Sequence, residues 1–176
     1  MSGSLPKGVE PDFYGQVLSA IPPHVKVIVD TEKHNMLSAL GNREIYMVKP
    51  NLRELEDFTG KIVRDLYDMV KASRKYLDKG VKYVLVSLGG EGAVLTDGTE
   101  SYFCKSASVA VNSTVGAGDS MVAAACVGIE KGVPMSEILR MAAAAGTAAV
   151  TTSGTNLFYR DKYNEIYSKI YSEQIT

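Results

Sequence analysis

Apolar positions in this chain recur with two periods, and the alternation between those periods predicts the order of elements. Residues 2 to 11 show neither period; their Gly, Ser and Pro content makes a loop. Phe13, Val17, Leu18 and Ile21 then fall on one face of a short helix, which Pro22 and Pro23 stop. Val25 to Val29 is an apolar β-branched run ending at Asp30 and reads as a buried strand. A helix through Met36 to Leu40 ends near Gly41, and Ile45 to Val48 is a second short strand. Asn51 caps a helix reaching Phe58, with Glu54 at the capping-box position. The stretch Lys61 to Lys79 reads as a longer helix with Ile62, Leu66, Met69, Val70 and Leu77 inward, closed by Gly80. Tyr83 to Val86 is a third buried strand leading into Ser87-Leu88-Gly89-Gly90-Glu91-Gly92. Ala93 to Leu95 and Ser101 to Cys104 flank Asp97-Gly98, a hairpin signal. Helices follow at about Asp119 to Glu130, Met135 to Val150 and Arg160 to Tyr171.

Strands alternate with helices in the first half, so the predicted class is α/β with a mostly parallel sheet, and the hairpin adds an antiparallel edge. With 176 residues, and no linker, repeat or low-complexity tract, the expectation is one domain, residues 1–176. Composition narrows the function classes. The formal net charge is −1 and no basic stripe occurs, which argues against nucleic acid as a partner. The apolar stretch Ala142 to Val150 is too short for a membrane span, and the first residues carry no apolar signal core. Cys104 and Cys126 make no disulfide framework, so a cytoplasmic location with reduced thiols is expected. His24 and His34 have no partners at metal-ligand spacing and read as surface or strand-end residues.

The segment that carries chemistry is Asn112-Ser113-Thr114-Val115-Gly116-Ala117-Gly118-Asp119, just before an Ala-rich helix. Gly116, Ala117 and Gly118 are too small to block close approach to their backbone N–H groups. At a helix start those groups lack intrahelical acceptors and face the positive end of the dipole, which suits a phosphate. Phosphoryl transfer spreads negative charge over the γ-phosphate oxygens and needs fixed donors more than covalent chemistry. An Asp beside those donors can take the proton of an attacking hydroxyl, a contribution of roughly 10²–10⁴ in rate. The bland reading of the same tetrapeptide is a tight turn with a dipole-favoured Asp. A dinucleotide fingerprint is excluded because its last Gly is absent, and no Gly-Lys-Ser/Thr closes a Walker pattern.

The full run resembles the C-terminal signature of the PfkB, or ribokinase-like, sugar kinases. Residues 111 to 122 are most similar to the branch that holds tagatose-6-phosphate kinase and 1-phosphofructokinase. Three more pieces fall in the family's order. Ser2-Gly3-Ser4-Leu5-Pro6-Lys7-Gly8 resembles the loop at the sugar-phosphate site. Lys49-Pro50-Asn51-Leu52-Arg53-Glu54-Leu55 resembles the Asn-x-x-Glu segment associated with ATP phosphates and magnesium. Val86-Ser87-Leu88-Gly89-Gly90-Glu91-Gly92 resembles the nucleotide loop.

The resemblance implies a three-layer α/β/α fold and the cofactors ATP and Mg²⁺. Its implied reaction is ATP-dependent phosphorylation of a ketohexose phosphate, tagatose 6-phosphate or fructose 1-phosphate, to the bisphosphate. It makes Asp119 the base and Gly116, Ala117 and Gly118 the anion hole. It sets Asn51, Ser87, Gly89, Gly90, Gly92 and Thr114 at ATP, and Glu54 on a water-bridged Mg²⁺. It puts Ala143, Gly146 and Ser153 on the adenine side, and Ser4 and Lys7 near the sugar phosphate. Read alone, Asn51 and Glu54 are a cap, the glycines a strand turn, Lys7 a solvated charge, and Ala143 to Gly146 helix packing.

Chains of this family are longer, so the expectation is a C-terminal, nucleotide-binding part without the N-terminal half and β lid. An exposed sheet edge would then favour a homo-oligomer. The alternative function is a non-catalytic ATP-binding fragment. Asp30-Thr31-Glu32-Lys33 also departs from the small Ser-Gly pair that relatives often carry after the Asp.

Overall fold

Strands buried on both faces need near-continuous apolar runs, and the first half of the chain supplies three. In a computed structural model, β1 (Ile28–Val29), β2 (Ile45–Val48) and β3 (Val81–Ser87) run parallel, with Val29 opposite Val48 and Val48 opposite Val84. The structure describes residues 1–31, 33–41 and 43–176; Glu32 of the Asp30–Lys33 segment and the side chain of His34 lie outside the described residues. The chain divides into two compact units, Met1–Val86 with Thr96–Thr99, and Ser87–Leu95 with Glu100–Thr176.

In the first unit, α1 (Phe13–Ala20) packs on α2 (Lys33–Ala39), and α3 (Leu52–Thr59) packs on α4 (Leu66–Leu77). The buried face of α1 is Tyr14 and Leu18, with Phe13 turned outward, one residue round from the predicted stripe. The Tyr14 hydroxyl donates to the Gly3 carbonyl at 2.7 Å and fixes that rotation. The predicted strand from Val25 is shortened to two residues. The Arg43 guanidinium donates to the carbonyls of Ile21, Pro22, Pro23 and Val25 at 2.8–3.3 Å, so the chain curls around a cation instead of joining the ladder.

The predicted helix Lys61 to Lys79 begins only at Leu66. Gly60 ends α3 in a left-handed cap, and the Asp65 carboxylate accepts the Asp68 N–H at 2.7 Å to start α4. Ile62, expected inward, is 73% exposed in the intervening segment. His24 is exposed, as expected.

The second unit holds β4 (Ala93–Thr96), β5 (Ser101–Cys104) and β6 (Ser172–Gln174), with the last residue of β4 assigned to the first unit. The turn between β4 and β5 closes on side chains, Thr96 accepting the Gly98 N–H at 3.0 Å and Asp97 accepting the Thr99 N–H at 2.8 Å. The strand β6 was not expected. It runs antiparallel to β5, Phe103 opposite Glu173. The helix predicted to reach Tyr171 stops as α7 (Arg160–Tyr167), because Arg140 takes the carbonyls of Tyr167 at 2.7 Å and Ile170 at 2.9 Å and turns the chain. Two further helices, α5 (Ala117–Lys131) and α6 (Met135–Ala149), pack closely, and α6 also lies against α7, β5 and β6. The α/β class expected from the sequence holds, parallel in the first unit and antiparallel at β5 and β6. No described helix is long and apolar enough to cross a membrane.

Cys104 and Cys126 are both free, Cys104 buried and Cys126 exposed. Burial pushes the Cys104 thiol from 9.0 up to about 11. The folded chain therefore holds this proton more tightly than the unfolded one. The resulting stability is fully present below the unfolded value and is lost as pH rises through the folded one. Denaturant titrations should show stability declining between pH 9 and about 11, and Cys104→Ala should flatten that decline. An unchanged slope in the variant would refute the assignment.

Candidate active site

Residues 112–119 form a loop tied down at one end and left open at the other. Its tied end is Asn112, whose backbone N–H donates to the Val150 carbonyl at 2.8 Å and whose side-chain amide donates to the Thr151 carbonyl at 2.8 Å. This satisfies carbonyls at the C-terminal end of α6 that the helix itself leaves unpaired. The Ser113 hydroxyl then accepts the Val115 N–H at 3.2 Å, a side-chain turn that folds Thr114 and Val115 outward, both exposed.

At the open end Gly116 is the N-cap of α5 with φ +80°, a conformation that favours glycine. Gly116 itself has no side chain with which to cap this helix. The Ala117 N–H reaches the Thr114 carbonyl only at 3.4 Å, and the Ser120 N–H, bonded to Gly116 at 2.9 Å, is the first to close a full turn. A helix whose first-turn donors are not taken by a capping side chain is suited to an anion. The sequence placed the helix start at Asp119; it lies at Ala117, so Ala117, Gly118 and Asp119 form the first turn itself. Asp119 is exposed, on the turn where the dipole favours a carboxylate.

The adenine-side residues fall in two places. Ala143 is buried in α6, and Ser153 is exposed beyond its end. Gly146 lies where α6 meets α5. A Cβ there would sit 2.6 Å from Met121 Cγ and 3.4 Å from the Ala117 carbonyl oxygen, so this glycine lets α6 approach the first turn of α5. Gly146→Ala should cost about 1–3 kcal/mol by overpacking and weaken anion binding by shifting that turn. Urea unfolding combined with calorimetry would check both effects; full stability in the variant would show that Met121 simply moves aside.

The loop expected at the nucleotide, also in the second unit, leaves β3 at Ser87 and makes one 3-10 turn, Gly89–Glu91. It closes by the Leu88 N–H to the Gly92 carbonyl at 2.9 Å. Gly89 and Gly90 are exposed, and a Cβ on either meets nothing within 4 Å, so their backbone is open to a ligand. Gly92 is different: it is buried, with φ +131°, and a Cβ would fall 2.1 Å from the Cys104 carbonyl oxygen. Its demand is close packing on β5.

In the first unit, Asn51 and Glu54 form a complete capping box on α3. The Asn51 side chain accepts the Glu54 N–H at 2.9 Å, and the Glu54 carboxylate accepts the Asn51 N–H at 2.8 Å. Ser4 and Lys7 are exposed on the loop that precedes α1. Sequence reasoning passed over an ion pair in this unit, between a buried lysine and a partly buried aspartate. Lys49 Nζ lies 3.3 Å from an Asp30 carboxylate oxygen, the two side chains 7% and 16% exposed. The signal was present, since each residue directly follows a buried strand, but their pairing depends on the β1–β2 register. Among the described residues no three His, Cys, Asp or Glu side chains cluster as a metal site. A single carboxylate such as Glu54 fits a Mg²⁺ that keeps its waters and takes one or two carboxylates plus phosphate.

An α/β chain with a glycine-fronted helix and a first-turn carboxylate has the parts of a phosphate-handling protein. Residues 1–162 match the model of the pfkB family of carbohydrate kinases, and the chain belongs to that family. It is 31% identical to 1-phosphofructokinase of Escherichia coli (strain K12) over 170 residues, covering 97% of this chain and 54% of that one. It is 35% identical to ATP-dependent 6-phosphofructokinase isozyme 2 of the same strain, covering 96% of this chain and 55% of that one. Among solved structures, phosphofructokinase-2 from Escherichia coli in complex with potassium aligns with a TM-score of 0.88 at 35% identity, over 96% of this chain and 55% of that one. The chain thus spans about half the length of the curated relatives it matches.

Proposed function

We propose that this chain carries the phosphoryl-transfer machinery of an ATP-dependent sugar-phosphate kinase, acting on a ketohexose phosphate to give the bisphosphate. The observation that carries the reading is the start of α5: a left-handed glycine, Gly116, at the N-cap, and Asp119 in the first turn. The N–H groups of Gly116, Ala117 and Gly118 would hold the developing charge on the γ-phosphate; losing one such donor costs ~3–4 kcal/mol of transition-state stabilisation. Asp119 would accept the proton from the attacking hydroxyl. Gly89 and Gly90 would lie along the nucleotide with Ser87, Gly92 and Thr114 beside them, and Ser153 on the adenine side. Asn51 would meet phosphate oxygens, Glu54 would hold the waters of Mg²⁺, and Ser4 and Lys7 would meet the sugar phosphate. Magnesium, when bound, neutralises charge on the β- and γ-oxygens.

Relatives named for 1-phosphofructokinase activity support fructose 1-phosphate as substrate, with tagatose 6-phosphate as the second candidate. The relative named 6-phosphofructokinase adds fructose 6-phosphate to the sugars worth assaying. The coverage of about half the relatives' length favours a second reading, a chain that binds ATP without turning over sugar. Calorimetry with ATP and Mg²⁺, run beside a coupled ADP-release assay with each of the three sugars, separates the readings. Sugar-dependent ADP release supports the kinase, ATP binding without it supports the binding fragment, and no ATP binding refutes both.

A further inference from the structure

The Asp30–Lys49 pair lies at the carboxyl ends of β1 and β2, the end of an open α/β sheet where ligands bind. Asp30 is held from two directions. On its backbone side it pairs with the start of the chain: the Asp30 N–H donates to the Met1 carbonyl at 2.9 Å, and the Gly3 N–H donates to the Asp30 carbonyl at 3.0 Å. Ser2 and Asp30 form a parallel bridge there. The Gly3 carbonyl also accepts from the hydroxyls of Tyr14 at 2.7 Å and Thr31 at 2.6 Å, so this first turn of the loop is locked. On its side-chain side Asp30 takes the Lys49 ammonium. Lys49 is followed by Pro50, whose ring fixes φ, and then by Asn51, the N-cap of α3. A displacement of Lys49 therefore carries to the capping box with little slack.

We infer that Asp30 is a positioning residue that couples the loop Ser2–Lys7 to the segment Lys49–Glu54, so that phosphate engaged by one sets the geometry of the other. The inference rests on the nucleotide role proposed above for Asn51 and Glu54. The pair is suited to this because both charges are largely withdrawn from water, where an ion pair is screened little and holds its geometry.

The test compares the unsubstituted chain with Asp30→Asn, Lys49→Gln and the double variant, each shown to be folded by circular dichroism. Calorimetry with ATP and Mg²⁺ should give about a tenfold loss of affinity in either single variant, and no further loss in the double variant, because the partners act as one unit. Amide hydrogen exchange reads the coupling itself. At saturating nucleotide, residues 1–7 should exchange more slowly in the unsubstituted chain and show no such protection in Asp30→Asn. Where Asp30→Asn alone does not fold, the double variant, which leaves no unpaired buried charge, carries the same comparison. Unchanged protection of residues 1–7 in the folded variant overturns the coupling, as do additive losses of affinity. A chain that binds no ATP overturns the nucleotide reading and this inference with it.

Discussion

In the kinase proposed above, Asp119→Asn should lower the rate of sugar-dependent ADP release at least about 10²-fold while leaving ATP affinity unweakened. The two halves of this result have separate causes. Asparagine keeps the size of the side chain and its place in the first turn of α5, where Gly116 is the N-cap. It removes the carboxylate that would accept a proton. The same carboxylate, beside the donors proposed for the γ-phosphate, would also repel that phosphate, so its loss gives the nucleotide no reason to leave. A variant that loses turnover and nucleotide binding together would point to a damaged helix start. A variant with nearly full turnover would remove Asp119 from the base role.

Gly92→Ala should be the most destabilising single substitution in the loop from Ser87 to Gly92, by about 3–5 kcal/mol, combining backbone strain with overpacking. Its φ of +131° disfavours any side chain, and the added Cβ would meet the Cys104 carbonyl oxygen at 2.1 Å and the Lys105 Cα at 3.0 Å. These are backbone atoms, so no rotamer change relieves the contact. Against a domain stability of about 5–15 kcal/mol, such a loss would leave much of the chain poorly folded. Gly90→Ala is the contrast: open space surrounds that position, and its stability should stay within about 0.5 kcal/mol. Urea unfolding of the two variants checks the difference. Equal stabilities would mean that β5 yields readily to β4. Reduced ATP affinity in Gly90→Ala at full stability would support the nucleotide role of that backbone.

The sequence revealed most where the signal is local. The capping box at Asn51 and Glu54 and the strand Ile45–Val48 are each written within a few positions and found in place, and the small residues Gly116 to Gly118 mark the start of α5, two of them inside its first turn. What escaped depends on partners distant in the chain. Ser172-Glu173-Gln174 has no apolar pattern and becomes a strand because β5 offers a ladder. Val25 has the β-branched neighbours of a strand but follows a stretch gathered by Arg43, some twenty positions away. Lys61 to Lys79 kept a helical period across a boundary that Gly60 and Asp65 mark. Gly146 looked like one small residue among many in an alanine run, and only the crossing of α5 over α6 gives it a place beside the catalytic candidate's turn. The Asp30–Lys49 pair needs the register of two strands before its residues can meet.

Under the nucleotide role proposed for Asn51 and Glu54, the capping box on α3 would make ligand binding and folding trade against each other. Asn51 and Glu54 satisfy each other's N–H groups. A phosphate placed there as proposed would compete for the two N–H groups, and the helix end would exchange a side-chain acceptor for a phosphate oxygen. Folded stability and ligand affinity would then draw on the same two donors. A change that tightened the cap would make the free chain sturdier and the bound state harder to reach, whereas loosening it would leave the end of α3 waiting for an anion to complete it.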